Sequence, residues 1–165
     1  MGNIKKLTSE HKADFSQMND ATVDMLVDKS FLIPFSNEEI EDLFSDNAKD
    51  VVFGIFHENE MAAMAGLYFD LRDFESQKDY LDIDFSKTGE IGGCMTSSEH
   101  RGKGYMLTLN KELTEVAREM GLKHIVATAH PENYASIKSL TRLGMRLIRE
   151  FDRHGFRRNL YVMEL

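Results

Sequence analysis

One short segment of the chain has the composition of a phosphate-binding loop. It is Arg101-Gly102-Lys103-Gly104, and it stands between a segment with strand character and an amphipathic helix. Glycines allow positive φ angles and close approach to a ligand, and the unpaired N–H groups at a helix N-terminus attract phosphate. Lys103 adds a positive charge. The segment alone also fits a basic turn that only leads into a helix.

Spacing excludes three familiar motifs around this segment and elsewhere. A Walker A loop needs a glycine where Ser97 stands, and a dinucleotide-binding G-x-G-x-x-G needs one where Leu107 stands. The zinc motif H-E-x-x-H needs a second histidine where Met61 stands. The single cysteine, Cys94, excludes an internal disulfide and a thiolate-rich metal site. We therefore expect no metal.

Other residues of catalytic type lie on both sides of the loop. Glu90 begins a strand segment, His130 precedes a proline, and Tyr134 follows Asn133. A carboxylate or an imidazole can accept a proton and a phenol can donate one. Each residue also has an ordinary structural interpretation: Glu90 as a charge at a strand end, His130 as a capping group and Tyr134 as a surface aromatic. Cys94 has no evident neighbour to activate it as a nucleophile.

Apolar periodicity predicts the elements that must position these residues. Ser36 and Glu39 form the sequence pattern of a capping box that starts a helix, and Gly121 and Gly144 are placed to end two others. The predicted strands are 1–7, 51–56, 61–69, 88–96, 122–128, 146–151 and 156–165, and the predicted helices are 9–26, a segment opening at 36, 106–120 and 133–143. Glycines within the strand at 88–96 indicate a bulge or the close approach of another backbone. The order is mixed α/β.

Length and charge restrict the class of protein. The 165 residues are 42% hydrophobic, which predicts one domain over residues 1–165. A net charge of −8 disfavours nucleic acid as a partner, because an acidic chain repels phosphate. No apolar run reaches 18 residues and the N-terminus lacks a signal-peptide core, so we expect no membrane association and a cytoplasmic location. A monomer and a homodimer both remain open.

Three blocks together resemble the GNAT superfamily of N-acetyltransferases. Residues 90–96 look like the family's fourth strand, and residues 101–104 look like its pyrophosphate loop, R/Q-x-x-G-x-G/A. Asn133, Ser136 and the segment 143–145 look like its closing helix and turn. The resemblance is close from about residue 88 onward and holds only in element order before that. It implies a central twisted mixed sheet of six to seven strands, flanked by about four helices, with splayed fourth and fifth strands.

The resemblance also implies acetyl-CoA as cosubstrate and gives it a binding site. The pantetheine arm would pair with backbone groups in the gap between the fourth and fifth strands, and the loop and first helical turn would hold the pyrophosphate. The expected cofactor-binding residues are Cys94, Met95, Thr96, Arg101, Gly102, Lys103, Gly104, Tyr105, Met106, Leu107 and Asn133.

By the same resemblance, Glu90 occupies the place of the base glutamate in the histone-acetylating members. A base there would deprotonate a primary amine for direct attack on the thioester in a ternary complex. Three positions depart from the family: Met106 replaces a glycine or alanine, Thr128 a glutamate found in some members, and Leu140 the tyrosine that protonates the leaving thiolate. His130 is the alternative base and Tyr134 the alternative proton donor. The departures keep a second hypothesis open, a catalytically silent acyl-CoA-binding or sensing module that acts through a partner.

The segment from Asp70 to Glu90 indicates the nature of the acceptor. It carries seven acidic and three basic residues, and it resembles an insertion between the family's third and fourth strands. Phe74, Tyr80 and Phe85 could fold it down as a lid whose carboxylates attract a cationic small-molecule or peptide amine. An ordinary solvated loop fits the same charge pattern.

Overall fold

Seven strands form one sheet in a computed structural model that describes residues 2–165. The strands are β1 Asn3–Lys6, β2 Val51–His57, β3 Glu60–Tyr68, β4 Thr88–Thr96, β5 His124–Ala129, β6 Arg146–Arg153 and β7 Phe156–Glu164. The helices are α1 Lys12–Met25, α2 Asn37–Leu43, α3 Lys78–Leu81, α4 Tyr105–Glu119 and α5 Tyr134–Leu143. The predicted mixed α/β order is confirmed, and Met1 of the predicted first strand lies outside the described residues.

The sheet order is β1-β2-β3-β4-β5-β7-β6. Every neighbouring pair is antiparallel except β4 and β5, which are parallel. Two-residue turns with positive φ at both positions join β2 to β3, at Glu58-Asn59, and β6 to β7, at His154-Gly155. Such turns match the right-handed twist of the strands. The second turn fixes where Arg153, the last residue of β6, lies.

Helices cover both faces of the sheet. On one face α4 and α5 pack through Leu109, Leu113 and Leu140 onto the middle strands. On the other face α1 and α2 pack through Phe15 and Ile40. The capping box of α2 forms as its sequence predicts, with Ser36 accepting from the N–H of Glu39 and Glu39 from that of Ser36. Within residues 2–165 no helix is long and apolar enough to cross a membrane.

The segment between β3 and β4 is packed against the sheet. It contains short 3-10 turns and the single-turn helix α3, and it buries Phe74 and Leu81. These side chains join Val126, Phe151 and Leu160 in a third apolar cluster. A solvated loop is therefore excluded for this segment, since its aromatic core is anchored on the far half of the sheet.

The fourth and fifth strands splay as expected. Their pairing runs only from Thr88 with His124 to Glu90 with Val126, within the described residues. Beyond Glu90, β4 continues to Thr96 against β3, while β5 continues to Ala129 against β7. The backbone edges that face the gap are thereby left for another partner, because unpaired strand N–H and C=O groups need one.

Candidate active site

A cavity of about 950 Å³ opens where β4 and β5 part. Its walls come from both faces of the sheet, with Cys94 and Asn110 on the α4 side and Phe35 and Tyr68 on the α2 side. Glu90 and Thr128 lie at its floor, one on each of the two strands. The splay thus converts a gap in the hydrogen-bond ladder into a pocket that crosses the sheet.

Glu90 is held in this cavity by a bidentate ion pair. It is 7% exposed, and its two carboxylate oxygens accept from Arg153 Nη1 at 2.6 Å and Nη2 at 3.1 Å. Burial raises the pKa of the Glu90 carboxyl above its ordinary value, and the Arg153 guanidinium opposes that rise. Arg153 Nη1 also donates to Thr128 Oγ1 at 3.1 Å. One guanidinium therefore joins the two splayed strands at the floor of the cavity.

The same arginine also holds the β3–β4 segment. Arg153 Nε donates to Asp73 at 2.9 Å, and its guanidinium lies 4.9 Å from the centre of the Phe74 ring. His154 Nε2 lies 2.8 Å from the other oxygen of Asp73. Asp73 is thereby committed to local partners, as is Asp70, which pairs with Arg72 at 2.6 Å. The acidic residues of the segment that line the cavity are consequently partnered rather than free.

Three residues that line the cavity each have a buried polar atom with no hydrogen-bond partner among residues 2–165. These atoms are Tyr68 Oη, Asn110 Nδ2 and Ser139 Oγ. Asn110 is 1% exposed, and its Oδ1 accepts from the Cys94 thiol at 3.8 Å, which turns the amide nitrogen away from Cys94. Buried polar groups are normally satisfied, so unpartnered ones lining a cavity indicate a polar ligand. This is the observation that fits a bound pantetheine arm, whose amides and sulfur need such partners.

Cys94 is a structural thiol in this arrangement. Burial, assisted by the charge of Glu90, raises its pKa to about 12. The thiol therefore keeps its proton at neutral pH and serves as a donor to Asn110. Its backbone, with that of Met95 and Thr96, lies along β4 beyond the point where β5 diverges.

The glycine loop has the backbone that its sequence predicts. Gly102 and Gly104 have φ angles of +75° and +77°, and a Cβ on either would meet nothing within 4 Å. The first intrahelical bond shown at the start of α4 runs from Thr108 N to Gly104 O, at 3.1 Å. The N–H groups of residues 105–107 precede that bond, so they are available to an anion. Arg101 and Lys103 are exposed beside them. The loop fits a pyrophosphate.

Some of the other predicted site residues line the cavity and others do not. Met106 and Asn133 line the cavity together with Glu90 and Cys94. Asn133 also caps α5, because its Oδ1 accepts from Ser136 N at 3.3 Å. Tyr134 is 72% exposed and, like His130, lies outside the cavity lining drawn from the described residues.

His130 takes part in a local cluster with Asp28 and Glu132. Their side-chain ligand atoms lie within 4.8 Å of one another. The N–H of Glu132 donates to His130 Nδ1 at 3.0 Å, which requires that nitrogen to be unprotonated. The proton of the neutral ring therefore lies on Nε2, and this tautomer offers no lone pair at Nε2 for a metal. The ring packs on Phe31 with centroids 4.6 Å apart.

Sequence reasoning missed Arg153, Tyr68, Asn110 and Ser139. Arg153 and Glu90 are 63 positions apart, and no local pattern connects them. The glycines of β4 were a usable signal. Gly93 forms the predicted bulge with φ of +59°, but the group that approaches it is a side chain, Tyr68, rather than another backbone.

The comparisons with known proteins concern the family and the fold. A sequence model described as the acetyltransferase (GNAT) family matches residues 16–145. A solved N-acetyltransferase from Staphylococcus aureus Mu50 is similar at 16% identity and a TM-score of 0.75, covering 99% of this chain and 97% of its own. A ribosomal-protein-alanine N-acetyltransferase from Brucella melitensis is similar at 22% identity and a TM-score of 0.72, covering 99% of each chain.

An N-acetylglutamate synthase from Neisseria gonorrhoeae, solved with coenzyme A and N-acetyl-glutamate, is similar at 15% identity and a TM-score of 0.72. This chain is covered completely, and 35% of that chain is covered. No curated protein sequence matches. The sheet, the splayed strands and the glycine loop define an acyltransferase of the GNAT type, and the family match extends over most of the chain. The chain belongs to the GNAT family of acetyltransferases.

Proposed function

We propose that this protein transfers the acetyl group of acetyl-CoA to a primary amine by direct attack in a ternary complex. The observation that carries the proposal is the cavity at the β4–β5 splay, which joins unpartnered polar groups to a buried carboxylate. No comparable observation supports the alternative, a catalytically silent acyl-CoA-binding module. Such a module would bind its ligand without a buried carboxylate such as Glu90 in the cavity.

The cofactor would be held by residues that the sequence already indicates. The backbone of Cys94, Met95 and Thr96 runs along β4 beyond its pairing with β5, and its groups on the gap edge would pair with the pantetheine arm. The N–H groups of residues 105–107 suit the pyrophosphate. Asn133 and Met106 line the wall between these two regions. When bound, acetyl-CoA supplies an activated acyl group as a thioester.

Glu90 would take the proton that the amine must lose. Arg153 uses one lone pair on each carboxylate oxygen, and each oxygen retains another that can accept from the amine or from a bridging water. Burial makes Glu90 a stronger base than an exposed glutamate, because it raises the pKa of the carboxyl. His130 packs against Phe31 and is not among the described residues that line the cavity, so we assign it no step.

The acceptor would be a cationic amine. Six acidic residues line the cavity against three arginines. Of the six, Glu39, Asp42 and Asp50 form no salt bridge with a lysine or arginine of residues 2–165. They lie on the α2 side, away from the glycine loop, and would draw in a small molecule or peptide that bears positive charge.

The function is tested by thiol release from acetyl-CoA with a panel of amines, together with calorimetric titration of CoA. Gly104→Glu should abolish CoA binding and turnover, because it places a negative charge where the pyrophosphate binds. Gly121→Glu is the matched control: its φ is +80° with nothing within 4 Å, but it ends α4 instead of starting it. CoA binding by Gly104→Glu equal to that of Gly121→Glu would contradict the loop assignment. CoA binding without turnover on any amine would favour the sensing module.

A further inference from the structure

Tyr68 lies across the sheet at the point where β4 leaves β5, in space that three glycines provide. A Cβ on Gly66 would stand 2.4 Å from Tyr68 Oη, and a Cβ on Gly93 would stand 2.7 Å from it. A Cβ on Gly92 would lie 3.7 Å from the ring carbon Cδ2 of Tyr68 and 3.6 Å from Glu90 Oε2. Glycines on two strands thus leave room for the Tyr68 hydroxyl beside the splay, and the ring of Tyr68 lies on the same side of Gly92 as the Glu90 carboxylate.

The hydroxyl has no hydrogen-bond partner in residues 2–165. Its oxygen is buried, and the side chain lines the cavity with the Phe35 ring 6.0 Å away, centroid to centroid. A tyrosine in an apolar setting usually directs its O–H to a partner, because an unpaired buried donor is costly. Packing alone would be served equally well by phenylalanine. The hydroxyl therefore has a role that a ligand completes.

The reaction requires a proton donor at this point. Cys94, a thiol in the same cavity, has its pKa raised to about 12 by burial. A departing thiolate in the same cavity would meet similar low-polarity surroundings, which favour the neutral thiol over the thiolate, so a proton donor near the sulfur would assist its departure. Leu140 carries no exchangeable proton, and Tyr134 is 72% exposed outside the cavity lining drawn from the described residues. Asn110 can donate a hydrogen bond but does not give up its proton at neutral pH.

We propose that Tyr68 is a catalytic residue whose hydroxyl protonates the sulfur of coenzyme A as the acetyl group is transferred. The inference rests on the proposed function, and it identifies the general acid that protonates the leaving sulfur in that reaction. Burial raises the pKa of the Tyr68 phenol well above its ordinary value, so the proton is present at neutral pH.

Tyr68 and Glu90 account for every proton that moves in the proposed reaction. As the C–N bond forms and the C–S bond breaks, the electron pair of the C–S bond goes to sulfur, which takes the proton of Tyr68. Glu90 takes the proton of the attacking nitrogen. Tyr68 and Glu90 are Cα partners across β3 and β4, and Glu90 returns its proton to the phenolate through bridging water. Both groups are restored and the products are an amide and a free thiol.

Tyr68→Phe removes only the hydroxyl and keeps the ring. We expect kcat to fall about 10²-fold, the lower range for loss of a general acid. The affinity for CoA should fall by only about threefold, since one hydrogen bond to sulfur is weak. The melting temperature should hold or rise, because an unpartnered hydroxyl is removed. Tyr161→Phe is the control: it removes a buried hydroxyl that accepts from Asn159 at 3.4 Å, outside the cavity, and should keep kcat.

A second readout needs no turnover. The affinities of CoA and of desulfo-CoA are measured in wild type and in Tyr68→Phe. If the hydroxyl contacts the sulfur, CoA should lose about threefold more affinity than desulfo-CoA on mutation. Equal losses, or wild-type kcat in Tyr68→Phe, would overturn the inference while leaving acetyl transfer intact. If wild type turns over no amine, the proposed function fails, and the binding comparison still decides whether Tyr68 touches the sulfur.

Discussion

At the scale of single residues, Glu90 combines two properties that usually conflict. It is buried, which favours its protonated form, and it is paired with Arg153 on both oxygens, which favours its ionised form. Such a pair fixes the carboxylate in one orientation at the cavity floor. A base that must receive a proton from a positioned amine benefits from that fixed orientation.

Glu90→Gln should therefore lower kcat while CoA still binds. We expect a loss of about 10²–10⁴-fold near neutral pH. The deficit should shrink as pH rises, because more of the amine is then already deprotonated and needs no base. The measurement is kcat against pH for both proteins, with CoA affinity from calorimetry. Wild-type turnover at neutral pH would exclude Glu90 as the base.

Asp73→Asn serves as the control for the ion pair. It removes another carboxylate from Arg153, at 2.9 Å, but keeps Glu90. Both variants should lower the melting temperature, since each leaves a partly buried guanidinium short of a partner. Only Glu90→Gln should show the pH-dependent loss of kcat. The same pH dependence in Asp73→Asn would mean that the charge of the cluster, rather than proton uptake by Glu90, limits turnover.

At the scale of elements, the bulge in β4 is the feature that joins fold and site. Gly93 has φ of +59°, and a Cβ there would stand 2.7 Å from Tyr68 Oη and 2.8 Å from Phe35 Cζ. Any side chain would both strain the backbone and push aside two aromatic groups that line the cavity. The position therefore requires glycine for conformation and for space.

Gly93→Ala and Gly102→Ala separate these two requirements. Gly102 has a similar φ, +75°, with nothing within 4 Å, so alanine there should cost only the left-handed strain, about 1 kcal/mol. Gly93→Ala should cost the same strain and roughly 1–3 kcal/mol more for the overpacking. Urea denaturation of the ligand-free proteins measures both. Equal losses of stability would show that the aromatic groups around Gly93 move aside freely.

At the scale of the whole molecule, the acidic groups that line the cavity bear on the proposed cationic acceptor. The chain has a net charge of −8, and the acidic residues that line the cavity differ in whether they are paired with a basic side chain. Acids of the β3–β4 segment that reach the cavity are bound to arginines, whereas Asp42 and Asp50 on the α2 side are not paired with lysine or arginine within residues 2–165. Asp50 is half-buried, and its pKa is raised by burial.

Replacing Asp42 and Asp50 by asparagine should raise KM for a diamine acceptor by about three- to tenfold at low salt, and less at high salt. KM for acetyl-CoA should stay unchanged. Asp79 and Asp82 form the matched pair: they belong to the β3–β4 segment but lie outside the cavity lining drawn from residues 2–165. Steady-state kinetics at two ionic strengths compares the two double variants. An equal rise in KM for both would indicate a diffuse field instead of a local attraction.

Local patterns determined much of this protein. The strand and helix order, the capping box at Ser36, the glycine ends of α4 and α5 and the backbone of the glycine loop all follow from residues near one another in sequence. They are predictable because propensity, capping and positive φ depend on neighbouring residues. The resemblance to one family from about residue 88 onward added the splay, which the strand pairing confirms.

Only the tertiary structure decided which side chains meet where β4 and β5 stop pairing. Arg153 reaches Glu90 because the β6–β7 turn places it there, and Tyr68 reaches Gly93 because three glycines on two strands leave room. The β3–β4 segment is packed against the sheet because Phe74 is buried against side chains of β5, β6 and β7, which follow it in sequence. These contacts join positions far apart in the chain, and no local periodicity carries their partners. Burial, pairing and the absence of a partner for a hydroxyl emerge only when the sheet has formed.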